Sequence, residues 1–329
     1  MKSHRPPIDD HVAGIRTGDR AVLGRTLTLV ESNRSEDRRR AQELLTSLLP
    51  FTGGSRRIGI SGVPGVGKST FIETFGLQLI KNGHRVAVLA VDPSSTVSKG
   101  SILGDKTRME NLANSDNAFV RPSPTGGSLG GVARKTRESI LVCESAGYDV
   151  VLVETVGVGQ SETAVADMVD FFLLLMLTGA GDGLQGIKRG ILELADCVAI
   201  NKADGDNTEA AAQARAELQR ALTILRPGGD NGWTPQVVTS SGHTGAGLDE
   251  IWKIVEEHRA AGAAGGEFEN RRQQQLLGWM WAMVDESLRT AVREHPKVAT
   301  ALEGLETDVL EGRTTATAAA ERILKAFTT

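Results

Sequence analysis

Residues 58–69 read Ile58-Gly59-Ile60-Ser61-Gly62-Val63-Pro64-Gly65-Val66-Gly67-Lys68-Ser69, an apolar run that breaks into GVPGVGKS. Every fixed position of G-x-x-x-x-G-K-S is filled. The apolar positions Phe71, Ile72, Phe75 and Leu79 then recur at helical spacing, so the order is strand, loop, helix. Glycines at 62, 65 and 67 allow the tight turn that aims successive N–H groups, together with the positive end of the helix, at phosphate oxygens. Gly62, Val63, Pro64, Gly65, Val66, Gly67, Lys68, Ser69 and Thr70 are therefore the expected phosphate-binding residues. Lys68 is expected to reach the β- and γ-phosphates. Ser69 offers a hydroxyl to Mg²⁺, a hard cation that prefers oxygen.

A second phrase, Asn201-Lys202-Ala203-Asp204, follows the apolar run Cys197 to Ile200. Loops at the carboxyl ends of strands are where ligands bind in open α/β sheets. The Asp204 carboxylate can accept both the N1–H and the exocyclic amine of guanine, a donor pair that adenine lacks, so GTP and GDP are the expected ligands. Asn201 either contacts the purine edge or ties neighbouring loops, and the stem of Lys202 covers the base. Ser240, Ser241 and Gly242, after Val237-Val238, stand where GTPases usually carry Ser-Ala, with backbone N–H groups for the guanine carbonyl. The second serine departs from that pattern.

Between these anchors lie segments suited to sensing the γ-phosphate. The strand at Val86 to Val91 ends in Asp92, and a run of small polar residues leads on to Asp105. Both carboxylates are candidates for Mg²⁺ or its waters, and Asp92 is alternatively a group that orients the attacking water. Capping or solvation of the loop is the plainer role for either. A further buried strand ends in Glu154-Thr155-Val156-Gly157, the D-x-x-G idea with glutamate for aspartate: Glu154 for Mg²⁺ through water, and the Gly157 N–H for the γ-phosphate. Where Ras-like GTPases carry a glutamine after that glycine, this chain has Val158, so slow intrinsic hydrolysis is expected. Lys68, Asp92 and Gly157 are the catalytic candidates. A third segment, Thr178 to Lys188, holds four glycines, and its Asp182, Gln185 and Lys188 are candidate contacts of a client-responsive switch, unless the loop is only a flexible connection.

The combination GVPGVGKS, AVDPSS, ETVGVGQSE and NKADG resembles the SIMIBI class of P-loop GTPases, and within it the MeaB/ArgK/MMAA type. The likeness extends over nearly the whole chain. It implies a GTPase chaperone of adenosylcobalamin-dependent methylmalonyl-CoA mutase that gates cofactor delivery and protects the mutase from inactivation. It also points to a homodimer. Two rival functions are a nickel or cobalt metallochaperone GTPase and a nucleotide-dependent protein kinase of a transport system. The first is disfavoured by only two cysteines and six scattered histidines, the second by the lack of a dedicated base to position an acceptor.

Composition agrees. A chain of 329 residues with net charge −4 and pI about 5.9 offers no strongly basic face for nucleic acid. Its longest apolar stretch, Phe171 to Leu177, is too short to span a bilayer, so a soluble cytoplasmic protein is expected. The expected fold is an α/β P-loop NTPase with a mainly parallel sheet covered by helices on both faces. We expect three parts: an N-terminal helical arm (1–54) packed on the core, a GTPase domain (55–260) and a C-terminal helical dimerisation arm (261–329). The small-residue run Ala260 to Gly266 suggests a hinge, and beyond it Leu276, Leu277, Met280, Trp281, Val284, Leu288 and Val292 mark an apolar helix face.

Overall fold

The computed structural model describes residues 6–91, 109–122, 129–155, 161–179, 189–225 and 233–328. Its centre is a sheet of seven strands, all parallel, in the order β3-β2-β4-β1-β5-β6-β7. The strands are β1 (Arg56–Gly62), β2 (Val86–Val91), β3 (Ala118–Arg121), β4 (Val150–Thr155), β5 (Phe171–Met176), β6 (Cys197–Ile200) and β7 (Gln236–Thr239). The chain leaves β1 toward one edge of the sheet and, after β4, continues toward the other, so the crevice for a ligand opens at the carboxyl end of β1.

Strands buried on both faces read as continuous apolar runs, and β2, β4 and β5 are buried at every position. Alternation of side chains sorts them between two cores. Ile58, Ile60, Val150, Leu152, Phe171, Leu173 and Leu175 point to the side covered by α4 (Lys68–Lys81), α5 (Glu110–Asn114) and α10 (Leu248–Ala264). Val151, Val153, Phe172, Leu174 and Met176 point to the other side. That side is covered by α6 (Leu129–Ser145), α7 (Ser161–Ala166), α8 (Arg189–Leu194) and α9 (Thr208–Leu225).

The N-terminal arm forms α1 (Ile8–Arg16), α2 (Arg20–Val30) and α3 (Ser35–Leu48). Asp19 caps α2 by accepting from the N–H groups of Ala21 and Val22. Ile15, Leu23, Leu27, Leu44 and Leu48 are buried in the same cluster as the sheet residues above, so the arm is part of that layer. A two-pronged ion pair from Arg121 to Glu31 holds the end of α2 to the edge strand β3.

Below the amino ends of the strands, buried charges are chained together. Arg57 forks onto Glu144 with both bonds at 2.9 Å, and Glu144 also accepts from the Ser55 hydroxyl and the Gly53 N–H. Arg272 forks onto Asp170 with two bonds of 2.7 Å and donates to the carbonyls of Gly53 and Ser55.

The chain divides into two compact units, residues 1–272 and 273–329. The run Ala260 to Gly266 is helical through Ala264, because alanine is the best helix former, and the chain turns only at Gly265-Gly266, where Gly266 has φ +71°. The helix α11 (Glu267–Glu294) crosses the boundary between the units. In the second unit α12 (Pro296–Leu310) and α13 (Ala316–Thr328) pack together, burying Val298, Leu305 and Ala319. Along α11 the side chains of Leu276, Leu277, Met280, Trp281, Val284 and Leu288 are exposed, Trp281 by 61%.

Candidate functional site

The phosphate-loop sequence joins β1 to α4 at the centre of the sheet's carboxyl edge. Gly67 stands just before α4 with φ +93°, and a Cβ there would lie 3.2 Å from Asn201 Nδ2. Glycine is required by both the backbone angle and the close approach. Lys68 opens the helix and is 9% exposed. Its ammonium folds back on its own loop, donating to Gly62 O at 2.7 Å and Val63 O at 3.4 Å. Burial pushes the Lys68 ammonium below the ordinary lysine value, against the opposing pull of the Glu154 and Glu162 charges.

Ser69 donates its hydroxyl to Glu154 Oε1 at 3.4 Å, which brings together a hydroxyl and a carboxylate from two different elements. That donor set is all oxygen and carries negative charge, so it fits Mg²⁺. Beneath it Thr155 Oγ1 donates to Ser61 Oγ at 2.9 Å, locking the ends of β4 and β1 together. Val63 and Pro64 of the loop and Thr70 of α4 are exposed.

The Asn-Lys-Ala-Asp phrase leaves β6 and touches the phosphate loop directly. Of the two roles open to Asn201, the structure shows the tie between loops. Asn201 is 2% exposed; its Nδ2 donates to Val66 O at 2.8 Å, while its Oδ1 accepts from Gly242 N at 3.1 Å and Ser240 Oγ at 3.4 Å. Lys202, at φ +60°, extends its ammonium to Gly65 O at 2.9 Å. One asparagine and one lysine thus join three loops.

Ser241, the departure from the usual Ser-Ala, has a distinct task. Its hydroxyl donates to Asp204 Oδ2 and accepts from the N–H groups of His243 at 3.2 Å and Thr244 at 3.0 Å. The carboxylate expected to read guanine is therefore held by the neighbouring loop. Thr74 of α4 donates to Gly242 O and fixes that loop to the helix that begins at Lys68.

Asp92, Asp105, Gly157, Val158, Asp182, Gln185 and Lys188 lie outside the described residues. Sequence reasoning passed over two groups that the structure brings in. Asn207 donates to Lys202 O at 2.7 Å and accepts from Thr178 Oγ1 at 2.8 Å, so it links the base of the Thr178 segment to the Asn-Lys-Ala-Asp loop. Glu162, 7% exposed, acts on Lys68. The link from Asn207 to Thr178 and the influence of Glu162 on Lys68 join residues far apart in the chain, so neither is visible from neighbouring positions. Both cysteines are buried, and burial pushes both thiols far up. Among the described residues no group of three or more His, Cys, Asp or Glu side chains is arranged to hold a metal ion. No helix among them is long and apolar enough to cross a membrane.

Comparison with known proteins agrees with this arrangement. The family described as "Methylmalonyl Co-A mutase-associated GTPase MeaB" matches residues 23–297. A "Putative GTPase" of Caulobacter vibrioides is 58% identical over 310 residues, 94% of each chain. The "Methylmalonic aciduria type A homolog, mitochondrial" of Mus musculus is 46% identical over 97% of this chain and 79% of its own length. The "GTPase ArgK" of Escherichia coli is 49% identical over 85% of this chain and 84% of its own. Among solved structures, one titled "Crystal structure of LAO/AO transport system kinase" superposes with a TM-score of 0.80 at 37% identity, covering 98% of both chains. A seven-stranded parallel sheet, a complete phosphate loop tied to an Asn-Lys-Ala-Asp loop, and these likenesses lead to one conclusion: the chain belongs to the MeaB family, P-loop GTPases of the MeaB/ArgK type.

Proposed function

We propose that the protein is a GTP-hydrolysing chaperone of adenosylcobalamin-dependent methylmalonyl-CoA mutase, which gates delivery of the cofactor and protects the mutase from inactivation. The observation that carries the nucleotide half is the joining of the two loops, through Asn201 to Val66 and Lys202 to Gly65. A base read at Asp204 and phosphates held at 62–70 then share one rigid frame. The client half is supported by the family's description and by the mouse relative's name.

In this reading Gly62, Val63, Pro64, Gly65, Val66, Gly67, Ser69 and Thr70 bind phosphates, and Lys68 swings from Gly62 O to the β- and γ-phosphates. Asn201, Lys202, Asp204, Ser240, Ser241 and Gly242 shape the guanine pocket. Ser69 and Glu154, with Asp92 and Asp105, would hold Mg²⁺, which would supply positive charge against the transferring phosphoryl group. Asp92 and the Gly157 N–H complete the hydrolytic set. With Val158 where Ras-like GTPases carry glutamine, turnover is slow until a client organises the Asp182, Gln185 and Lys188 segment. A soluble cytoplasmic homodimer is the proposed form; the exposed apolar face of α11 suits a second copy.

A second reading, phosphotransfer to a protein of a transport system, is favoured by the name of the similar solved structure. One assay separates the two. Phosphate release from γ-labelled GTP is followed with and without methylmalonyl-CoA mutase, for the natural chain and for Gln185→Ala/Lys188→Ala. The chaperone reading expects stimulation by the mutase, reduced in the double variant while GDP affinity is unchanged. Label transferred to protein, or no response to the mutase, overturns it.

A further inference from the structure

Glu162 is buried on the first turn of α7. Val165, three residues on and so on the same helix face, lies over Gly59 of β1, where a Cβ would come within 2.9 Å of Val165 Cγ1. The chain descends from the carboxyl end of β4 to the amino end of β5, so Glu162 lies nearer the carboxyl edge than Val165. Three helical residues span about 4.5 Å, a little more than one strand residue. This step leads from Gly59 toward Ser61 and Gly62, where the Lys68 ammonium is bonded to Gly62 O at 2.7 Å.

Electrostatics agrees with packing, because among the described residues Glu154 and Glu162 are the carboxylates whose charges act on Lys68. The site's lysine is acted on by two buried carboxylates, whose charge opposes that of an incoming diphosphate.

We propose that Glu162 is a second buried carboxylate of the phosphate site and that, with Glu154, it makes GDP binding conditional on the divalent cation. This rests on the nucleotide reading above. Removing the Glu162 charge should help most where no cation compensates it, since charges a few ångströms apart inside a protein interact far more strongly than in water.

The test is the dissociation constant of GDP for the full chain, by calorimetry, in millimolar Mg²⁺ and in EDTA. Glu162→Gln and Glu162→Ala both remove the charge, and Glu162→Asp keeps it. The expected result is that Gln and Ala shrink the ratio of EDTA to Mg²⁺ dissociation constants by about tenfold, through tighter Mg²⁺-free binding. Asp should keep the ratio within about threefold of the natural chain. An unchanged ratio in Gln and Ala overturns the inference, as does equal weakening with and without Mg²⁺, the mark of a merely structural role. Failure of the natural chain to bind GDP at all would instead overturn the nucleotide reading.

Discussion

Replacing Asn201 tests the join between the two nucleotide loops most directly. Its side chain satisfies two buried backbone groups, the Val66 carbonyl at 2.8 Å and the Gly242 N–H at 3.1 Å. Asn201→Ala leaves both unpaired. A buried polar group left without its partner costs about 1–3 kcal/mol, so the pair implies a loss of about 2–4 kcal/mol once some relaxation is allowed. Asn201→Asp is the sharper variant: it keeps the shape and the acceptor toward Gly242, but sets a carboxylate oxygen against Val66 O. The stability order should be Asn, then Ala, then Asp. Urea unfolding of the first unit, read as a shift in midpoint at constant slope, measures it. GDP affinity should fall by about tenfold or more in both variants, since 1.4 kcal/mol of lost loop registration is already a factor of ten. If Asn201→Asp kept the stability and affinity of the natural chain, the argument that this amide is the joint would be refuted.

Asp204→Ala should abolish preference for GTP over ATP, and Ser241→Ala, which removes the hydroxyl holding that carboxylate, should weaken GDP binding by a smaller factor. Competition calorimetry with both nucleotides checks this, and an undiminished guanine preference in Asp204→Ala would count against the base assignment. Stability should also fall in acid through Glu144: burial pushes its carboxyl up, but Arg57, Ser55 and the Gly53 N–H outweigh that and hold it below the ordinary glutamate value. The stabilisation is present above the unfolded value of about 4.3 and is lost as pH falls through the folded one, so urea midpoints of Glu144→Gln should vary less with pH between about 5 and 3.

The phosphate loop and the Asn-Lys-Ala-Asp phrase were legible because each is a contiguous string whose residues act within a few positions of one another. The buried strands were legible for a related reason: burial on both faces leaves an unbroken apolar run. Ser241 was harder. Its hydroxyl looks like a small departure from a pattern until the fold brings it to Asp204. Glu162 was harder still, because its charge acts on Lys68 only once the fold lays α7 over Gly59. The run Ala260 to Gly266 was legible only in part: small residues suggest a hinge, and the chain does turn within the run, but alanines favour helix and confine the turn to Gly265-Gly266.

The position of Arg272 bears on how this protein can be cut. Composition invites an isolated nucleotide-binding fragment ending near residue 260, before the small-residue run. Such a fragment would strip Asp170 of its guanidinium while leaving it at the foot of β5, and would leave the Gly53 and Ser55 carbonyls without their donor. Removing one member of a buried ion pair strands the other at a cost of about 3–5 kcal/mol, a large part of what holds a domain folded. A nucleotide-binding fragment that keeps this ion pair therefore carries the first turn and a half of α11 with it, ending on an arginine whose bonds go to Asp170 and to the carbonyls of Gly53 and Ser55.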